Sequence, residues 1–327
     1  MNYIGRYSTQ VSASPRLAAI RRILPSLSFL LEDARGQEAS DLIARTLSNT
    51  SPCLISRIGS NELGAMATHR SILRRNRPVG KLGQRWFRWL HKSFWGLSWN
   101  DDLRQRMAVQ AGFFPVTDEA LHRFAELSIQ CARQIDIYAS WRHEEDYLKD
   151  LFRGSTVLPL NDLAPFLHEH PWTSALAGRR VLVVHPFSTS IQNNYCTRRE
   201  KIWQNPEVLP EFDLKTIQAI QTSAGGISKH ADWFECLAAM KREMDEVDYE
   251  IAIIGAGAYA LPLAAHAKAC GKKAVNLGAF TQLLFGIWGK RWDSDPGMLP
   301  LRNEWWTSPQ PEEKPPQASA VEDGCYW

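Results

Sequence analysis

Arg57 and Glu62 stand on either side of a glycine in the short segment RIGSNE. The apolar run from Cys53 to Gly59 is typical of a buried strand that ends in a loop, and we expect a helix to begin near Glu62. In open α/β sheets, ligands bind where the strands end on their carboxyl side. An arginine and a carboxylate at that place suit phosphate and metal chemistry. A salt bridge that only fixes the turn would use the same two residues, and the sequence leaves both interpretations open.

A second phosphate-binding pattern lies later in the chain, where an apolar run leads into Gly255 and Gly257 and then into Tyr259 and a helix. Glycines let the backbone approach a phosphate, and the free N–H groups of a helix start favour an anion. The third glycine of the dinucleotide fingerprint is replaced by Ala260, and the next strand ends in Asn276 instead of an acidic residue. The pattern therefore favours a nucleotide over NAD, with a tight turn that only needs small residues as the alternative.

Two further polar loops carry candidate binding residues. His185 follows a buried strand, and its side chain could act as a base or donate to phosphate because histidine titrates near neutrality. The segment Gly278–Trp292 combines Gln282, Arg291 and Trp292. Arginine forks and aromatic faces suit a diphosphate and a sugar. The alternatives are a histidine hydrogen-bonded in place and an aromatic lid on the core.

The elements that must position these loops alternate between strands and helices. We expect helices at Ala231–Glu246 and Tyr259–Cys270. The expected strands are Ile135–Tyr138, Arg180–Phe187, Asp248–Gly255 and Lys273–Gly278. This alternation predicts an α/β fold with a Rossmann-like, mostly parallel sheet and helices on both faces.

Three regions are predicted along the chain. Residues 1–50 form an N-terminal helical segment, residues 51–307 form the α/β domain, and residues 308–327, rich in Pro, Glu, Gln and Ser, form a disordered tail. At about residues 70–100 the α/β domain contains a basic aromatic insertion, since the stretch from Leu63 to Asn100 has eight Lys and Arg side chains and no Asp or Glu. It is either a solvated helix with rings in the core or a surface for a phosphate-bearing or membrane-held partner.

Composition excludes several classes of protein. The 327 residues carry a net charge of only +3, which gives no indication of a nucleic-acid partner. The six cysteines form no C-x-x-C pair, which argues against a zinc knuckle or a disulfide framework and favours a reducing compartment. No signal peptide or membrane-spanning run is predicted. We therefore expect a cytoplasmic protein, with peripheral contact at the inner membrane as an open option.

The segment RIGSNE is similar to the R-[FY]-G-D-G-E signature of GT-D type glycosyltransferases, which are encoded in bacterial capsule, exopolysaccharide and surface-glycan gene clusters. The later half resembles a branch of GT-D-like proteins in four motifs: HPF from His185, LPEF from Leu209, GAGAY from Gly255 and QLLFG from Gln282. The resemblance covers about residues 54–292. It implies transfer of a sugar from a nucleotide-diphosphate donor, a UDP-sugar above all, to a surface polysaccharide or lipid-linked glycan acceptor.

The resemblance also suggests which residues would hold a divalent cation. In the GT-D fold the carboxylates of a D-x-E motif hold a divalent cation against the donor diphosphate. Glu62 matches the motif glutamate and Arg57 its arginine, whereas Ser60 occupies the position of the aspartate. A hydroxyl is a poorer ligand for Mg²⁺ or Mn²⁺ than a carboxylate. Either Glu62 holds the cation with diphosphate and water, or basic residues neutralise the leaving group without a cation.

The remaining residues are assigned the roles that a sugar transfer of this kind would need. Nucleotide contacts are expected at Gly255, Gly257 and Tyr259, and donor or acceptor contacts at His185, Gln282, Arg291 and Trp292. The candidate catalytic side chains are Glu62, His185 and Glu145, the last within an acidic run that would otherwise be a solvated helix face. Two other functions stay open: a Rossmann-type oxidoreductase, suggested by the glycine turn alone, and a non-catalytic glycan-assembly protein, suggested by Ser60.

Overall fold

The computed structural model describes residues 30–75 and 98–327. Its centre is one sheet of seven strands in the order β3-β2-β1-β7-β6-β4-β5, and every strand pairing is parallel. The predicted α/β class with a Rossmann-like parallel sheet is confirmed. The strands are β1 Cys53–Ser56, β2 Ile137–Ser140, β3 Thr156–Pro159, β4 Arg180–His185, β5 Asp213–Gln218, β6 Ile251–Ile254 and β7 Lys273–Asn276.

Helices cover both faces of the sheet. Helices α2, α3, α4, α6 and α7 pack on one face, whereas α1, α5 and α8 pack on the other. A 3-10 helix, His143–Phe152, follows β2. The α-helices of the described residues are α1 Gln37–Ser48, α2 Ser60–Arg75, α3 Asp101–Val109, α4 Asp118–Ala132, α5 Ser188–Ile202, α6 Trp233–Asp245, α7 Ala260–Ala269 and α8 Phe280–Leu284. None of them is both long enough and apolar enough to cross a bilayer.

Successive strand residues alternate between two hydrophobic cores. In β4, Leu182 and Val184 belong to the core under α2, α6 and α7, whereas Val181 and Val183 belong to the core under α1 and α5. All four side chains are fully buried. A parallel strand covered on both faces needs apolar residues at successive positions, which is why residues 181–184 of β4 form a continuous apolar run.

The strands β1 and β7 are neighbours in space although they lie at opposite ends of the sheet-forming sequence, and Ser56 pairs with Asn276. The chain leaves β1 toward α2 on one face and leaves β7 toward α8 on the opposite face. A crevice therefore opens between the two strands at their carboxyl ends. This is the position where ligands bind in open α/β sheets.

Two predicted regions fall partly outside the described residues. The N-terminal segment 1–50 is described from residue 30 onward, where α1 forms. The basic aromatic insertion is described only at its two ends. At its start, the Arg70 guanidinium binds the Asp150 carboxylate with nitrogen to oxygen distances of 2.5 and 2.6 Å, and Arg74 lies 4.9 Å from the centre of the Tyr147 ring.

The C-terminal segment differs from the prediction of a disordered tail, because residues 308–327 pack along the body of the protein. The Glu313 carboxylate is buried and accepts hydrogen bonds from the main-chain N–H groups of Thr189 and Ser190, at 2.9 and 3.1 Å. These donors lie in the first turn of α5, where a helix favours a negative charge. Val321 is also buried. One capping carboxylate and a few apolar contacts anchor a segment whose average composition is polar.

Candidate functional site

A large cleft lies along the carboxyl edge of the sheet. It has a volume of about 1230 Å³, and each of the seven strands is followed by a segment that lines it. The cleft therefore includes the β1 and β7 crevice and extends across the neighbouring strands. Its lining includes the predicted site residues Arg57, Ser60, Glu62, His185, Gly255, Gly257, Gln282 and Arg291.

The turn after β1 brings Glu62 back toward the strand. Helix α2 begins at Ser60, and the main-chain N–H of Leu63 donates to the Gly59 carbonyl oxygen at 2.9 Å. The Glu62 carboxylate lies directly over Gly59, where a methyl group on Gly59 would overlap Oε2 and lie 2.8 Å from Cδ. The glycine therefore makes room for the carboxylate at the end of β1. Glu62 has no cationic partner among the residues that the structure describes.

Arg57 extends from the end of β1 toward the end of β7. Its Nε and Nη2 atoms lie against Gly278, where an added Cβ would be 2.7 and 2.9 Å from them. Gly278 has a φ of 59°, which favours glycine by itself. The Arg57 guanidinium also lies 5.8 Å from the centre of the Trp141 ring. Within residues 30–75 and 98–327 no carboxylate pairs with this guanidinium, so its charge is available to a ligand.

Hydrogen bonds between loops hold this part of the cleft together. The Trp141 indole N–H donates to the Ile58 carbonyl oxygen at 2.9 Å, which connects the segment after β2 to the turn after β1. The Asn276 amide donates to the Arg57 carbonyl oxygen at 2.9 Å and thereby connects β7 to β1. The end of β1 is thus hydrogen-bonded on both sides, and these bonds fix the backbone that carries the Arg57 side chain.

The glycine turn after β6 meets the loops after β4 and β7. A Cβ on Gly255 would lie 2.6 Å from His185 Cδ2, 2.7 Å from Thr281 Oγ1 and 2.9 Å from the Gly278 carbonyl oxygen. Gly257 has a φ of 54° and nothing within 4 Å of an added Cβ. Gly255 is therefore required for close packing, whereas Gly257 is required for its backbone conformation and presents open space to the cleft.

His185 is buried at the wall of the cleft, and burial lowers its pKa to about 3. Its Nδ1 accepts a hydrogen bond from the Phe187 main-chain N–H at 2.9 Å, so the neutral ring carries its proton on Nε2. With Nδ1 occupied and Nε2 protonated, the ring offers a donor and no free acceptor. Of the two roles expected from the sequence, the geometry favours donation to a ligand over general base chemistry.

Glu145 lies behind the cleft wall and does not line it. The side chain is fully buried, its Oε1 accepts from the main-chain N–H groups of Trp141 and Arg142 at 3.2 Å each, and Ser140 Oγ donates to its Oε2. Burial raises the pKa of this carboxyl to about 7. Glu145 fixes the segment that carries Trp141 and Arg142, so its role in this geometry is to position that segment.

Two other predicted contacts also lie away from the cleft. Tyr259 is buried, with its ring stacked 4.7 Å from that of Trp233 and its hydroxyl 3.0 Å from Thr222 Oγ1. Trp292 is fully buried. Both aromatic side chains point into the core from the turns that carry them, so they support the loops and do not reach a ligand in the cleft.

Gln282 and Arg291 do line the cleft, together with the C-terminal segment. The Gln282 amide donates to the carbonyl oxygens of Ile287 and Tyr326, at 3.4 and 3.3 Å. The Arg291 guanidinium lies 4.7 Å from the centre of the Tyr326 ring, and its main-chain N–H donates to the Cys325 carbonyl oxygen at 2.9 Å. The C-terminal segment therefore forms one wall of the cleft.

The cleft is more basic than the protein as a whole. Five arginines and three carboxylates line it, whereas the complete chain carries 38 basic and 35 acidic residues. Sequence reasoning found Arg57 and Arg291 and missed the others. Arg142 could have been found, because it lies two residues after the end of β2. Arg35 precedes α1 and Arg106 lies within α3, so neither follows a strand. The lining arginines are Arg35, Arg57, Arg106, Arg142 and Arg291.

The donors near Glu62 do not form a protein cage for a divalent cation. Ser60 contributes a hydroxyl, and the Asn61 amide nitrogen is bound to Gln110 Oε1 at 3.0 Å. The other two cleft carboxylates are engaged elsewhere: Glu32 pairs with Arg35, and Asp162 accepts from the Gly36 main-chain N–H at 2.7 Å. A hard divalent cation prefers several oxygen ligands, and Glu62 alone supplies one carboxylate. The residues described around Glu62 therefore do not fit a divalent cation held by the protein.

Comparisons of the chain with protein-family models, curated protein sequences and solved structures gave no match.

Proposed function

We propose that the protein is a glycosyltransferase that moves a sugar from a nucleotide-diphosphate donor to a surface polysaccharide or lipid-linked glycan. The single observation that carries the proposal is that Arg57 and Glu62 share one cleft with the glycine turn at Gly255 and Gly257. These groups follow two strands, β1 and β6, and combine a charge for phosphate, a carboxylate and an open backbone turn. The resemblance to GT-D proteins adds the reaction class.

The donor diphosphate would lie between Arg57 and the glycine turn. Arginine binds phosphate oxygens through its planar fork, and Gly257 leaves room for a phosphate to approach the backbone. When the bond from the sugar to the diphosphate breaks, negative charge develops on the leaving phosphate oxygen. The guanidinium stabilises that charge from a fixed position. This assignment needs no cation from the protein.

Glu62 is the carboxylate that we assign as general base. It lines the cleft, in contrast to Glu145, and it is an acceptor, in contrast to His185. The acceptor hydroxyl would give its proton to Glu62 while its oxygen forms the new bond to the anomeric carbon. His185 would donate its Nε2 proton in a hydrogen bond to an oxygen of the bound donor.

Thermal shift with UDP, GDP, CMP and NAD, followed by turnover assays with the matching nucleotide sugars, tests the proposal. We expect stabilisation by one nucleoside diphosphate or monophosphate and none by NAD, because the end of β7 offers the amide of Asn276 where NAD sites use an acid. Arg57→Ala should lower affinity at least about tenfold, as loss of a charged hydrogen bond does. Stabilisation by NAD alone would instead support the oxidoreductase.

The catalytic assignment needs its own comparison. Glu62→Gln should bind the donor and lose turnover, whereas Glu119→Gln, a glutamate in the first turn of α4 and exposed to solvent, should retain both. An exposed arginine, Arg153, serves as the matched control for Arg57. Full turnover by Glu62→Gln would refute the assignment of Glu62. Binding without turnover in the parent protein would support a non-catalytic glycan-assembly role.

A further inference from the structure

Asp245, His266 and Cys270 form a compact cluster on the side of the protein opposite the cleft. Asp245 Oδ1 lies 2.7 Å from His266 Nε2, Cys270 Sγ lies 3.7 Å from the same Oδ1, and Sγ lies 3.8 Å from the same Nε2. The cluster lies just before β6 and β7 begin, at the amino edge of the sheet. It is independent of the proposed transfer reaction.

The three ligand atoms converge on one point. In a tetrahedral zinc site with metal to ligand distances of about 2.0 to 2.3 Å, neighbouring ligand atoms are roughly 3.2 to 3.8 Å apart. Both distances from Cys270 fit that range, and the contact between Asp245 and His266 needs to open by about 0.5 Å to match it. Among the residues that the structure describes, this is the only group of three or more His, Cys, Asp or Glu side chains with such spacing.

The geometry argues against a nucleophile triad built from the same residues. In a Cys-His-Asp relay the thiol and the carboxylate use different ring nitrogens, so that the imidazole passes a proton between them. Here the carboxylate and the thiol both approach Nε2. That arrangement cannot relay a proton through the ring, whereas it is the arrangement in which all three atoms can bind one cation.

Rigid elements present the three side chains. His266 and Cys270 are one turn apart at the end of α7 and share a face of that helix, and the Cys270 main-chain N–H closes the turn on the His266 carbonyl oxygen at 3.0 Å. Asp245 is the last residue of α6. Ligands held by two packed helix ends are positioned before the metal arrives.

Solvent can reach the cluster. Asp245 and Cys270 are exposed, and His266 retains 20% of its side-chain exposure. A surface groove of about 370 Å³ adjoins the cluster and is lined by Asp245, Cys270, Tyr249 and Lys272 among others. A water molecule can therefore complete a fourth coordination position.

We propose that Asp245, His266 and Cys270 bind a single zinc-class divalent transition metal ion, with water as fourth ligand. A thiolate and an imidazole select zinc or a similar borderline metal over Mg²⁺ and Ca²⁺, which prefer oxygen ligands. The bound ion would connect the ends of α6 and α7. Because it binds the folded protein, it would also stabilise the fold.

The test uses the full chain, stripped with a chelator, and titrations with ZnCl₂ against a chromophoric competitor. We expect one tight site per chain, and a loss of at least about 100-fold in affinity for Cys270→Ser and for His266→Ala, since even outer partners of metal ligands contribute about 10- to 100-fold. Cys196→Ser is the matched control, because Cys196 is the other exposed cysteine of the chain. Absence of a stoichiometric site, or equal affinity in Cys270→Ser, would overturn the proposal.

Cobalt substitution gives a readout that does not depend on the variants. Co²⁺ bound to the wild-type protein should show a thiolate-to-metal charge-transfer band and intense tetrahedral d–d bands, and both should be unchanged in Cys196→Ser. A cobalt spectrum without the thiolate band would overturn the proposal even if a variant failed to fold. MgCl₂ in place of ZnCl₂ should give no site.

Discussion

The Asn276 amide nitrogen donates one hydrogen bond to the Arg57 carbonyl oxygen at 2.9 Å and another to Ser56 Oγ at 3.1 Å. These bonds join the ends of β7 and β1 across the crevice from which Arg57 extends. A carboxylate at position 276 would place a second acceptor against the Arg57 carbonyl oxygen. The amide, and not the acid of an NAD site, is the group that this contact requires.

Asn276→Leu should destabilise the protein by about 1 to 3 kcal/mol. It removes one buried and one partly buried hydrogen bond, so that Ser56 Oγ and the Arg57 carbonyl oxygen each lose a donor. Urea unfolding would measure the free energy of unfolding. Gln130→Leu, at an exposed amide on α4, should change it by less than about 0.5 kcal/mol. Equal stability of Asn276→Leu and the parent protein would show that the contact contributes nothing.

Gly59→Ala should displace the Glu62 carboxylate while leaving the fold intact. The new methyl would overlap the end of a flexible side chain, which can move, and not the backbone. We therefore expect turnover to fall as far as it does in Glu62→Gln, and the double variant to be no worse than either single variant. Gly154→Ala is the control, since nothing lies within 4 Å of that position. Additive losses in the double variant would contradict this explanation.

Gly257→Ala should weaken nucleotide binding as well as stability. Alanine at a φ of 54° costs roughly 1 to 2 kcal/mol, and relaxation of the backbone would move the turn that faces the cleft. Gly271→Ala should lower the free energy of unfolding for the same reason, because Gly271 has a φ of 76° and open space around it. Gly271 lies at the opposite edge of the sheet from the cleft. Both variants should lose stability by denaturant titration, and only Gly257→Ala should lose affinity in calorimetry.

Glu145 should make stability depend on pH in the acidic to neutral range. Its pKa is raised from 4.5 to about 7 in the folded protein, so the protonated form is the one that folding favours. Its contribution is fully present below about pH 4.5 and is lost as the pH rises through about 7, for a total of roughly 3 kcal/mol.

Glu145→Gln mimics the protonated carboxyl and should abolish that pH dependence. The variant should match the parent protein near pH 4.5 and exceed its stability near pH 8, as measured by urea unfolding at both values. Asp146→Asn, at the next and partly exposed carboxyl, is the control. An equal loss of stability in Glu145→Gln at both pH values would show that the raised pKa of Glu145 does not cause the pH dependence of the parent protein.

Much of the sheet could be predicted because its central strands are apolar on both faces. β6 is apolar throughout, and in β4 and β7 the polar residues stand only at the two ends of the strand. The strands that escaped prediction, β3 and β5, are the two edges of the sheet. In β5, Asp213 to Gln218, polar side chains outnumber apolar ones, because one flank and part of one face meet solvent.

The candidate site was predictable to a similar degree and for a similar reason. Arg57, Glu62, Gly255 and Gly257 directly follow strands, so the rule that ligands bind at carboxyl ends brings them together. Tyr259 lies within the same kind of turn and yet points into the core, because the phase of the following helix decides its direction. The direction of the Tyr259 side chain depends on its packing against Trp233. Trp233 is distant in sequence, so the residues near Tyr259 do not predict this contact.

Because every strand contributes a segment to the cleft, no contiguous piece of the chain contains it. The residues around it are drawn from positions as far apart as Leu30 and Trp327. Mapping ligand binding by testing fragments or serial deletions would therefore report loss of binding wherever the cut was made. Only point substitutions in the intact chain can separate residues that contact a ligand from residues that complete the scaffold.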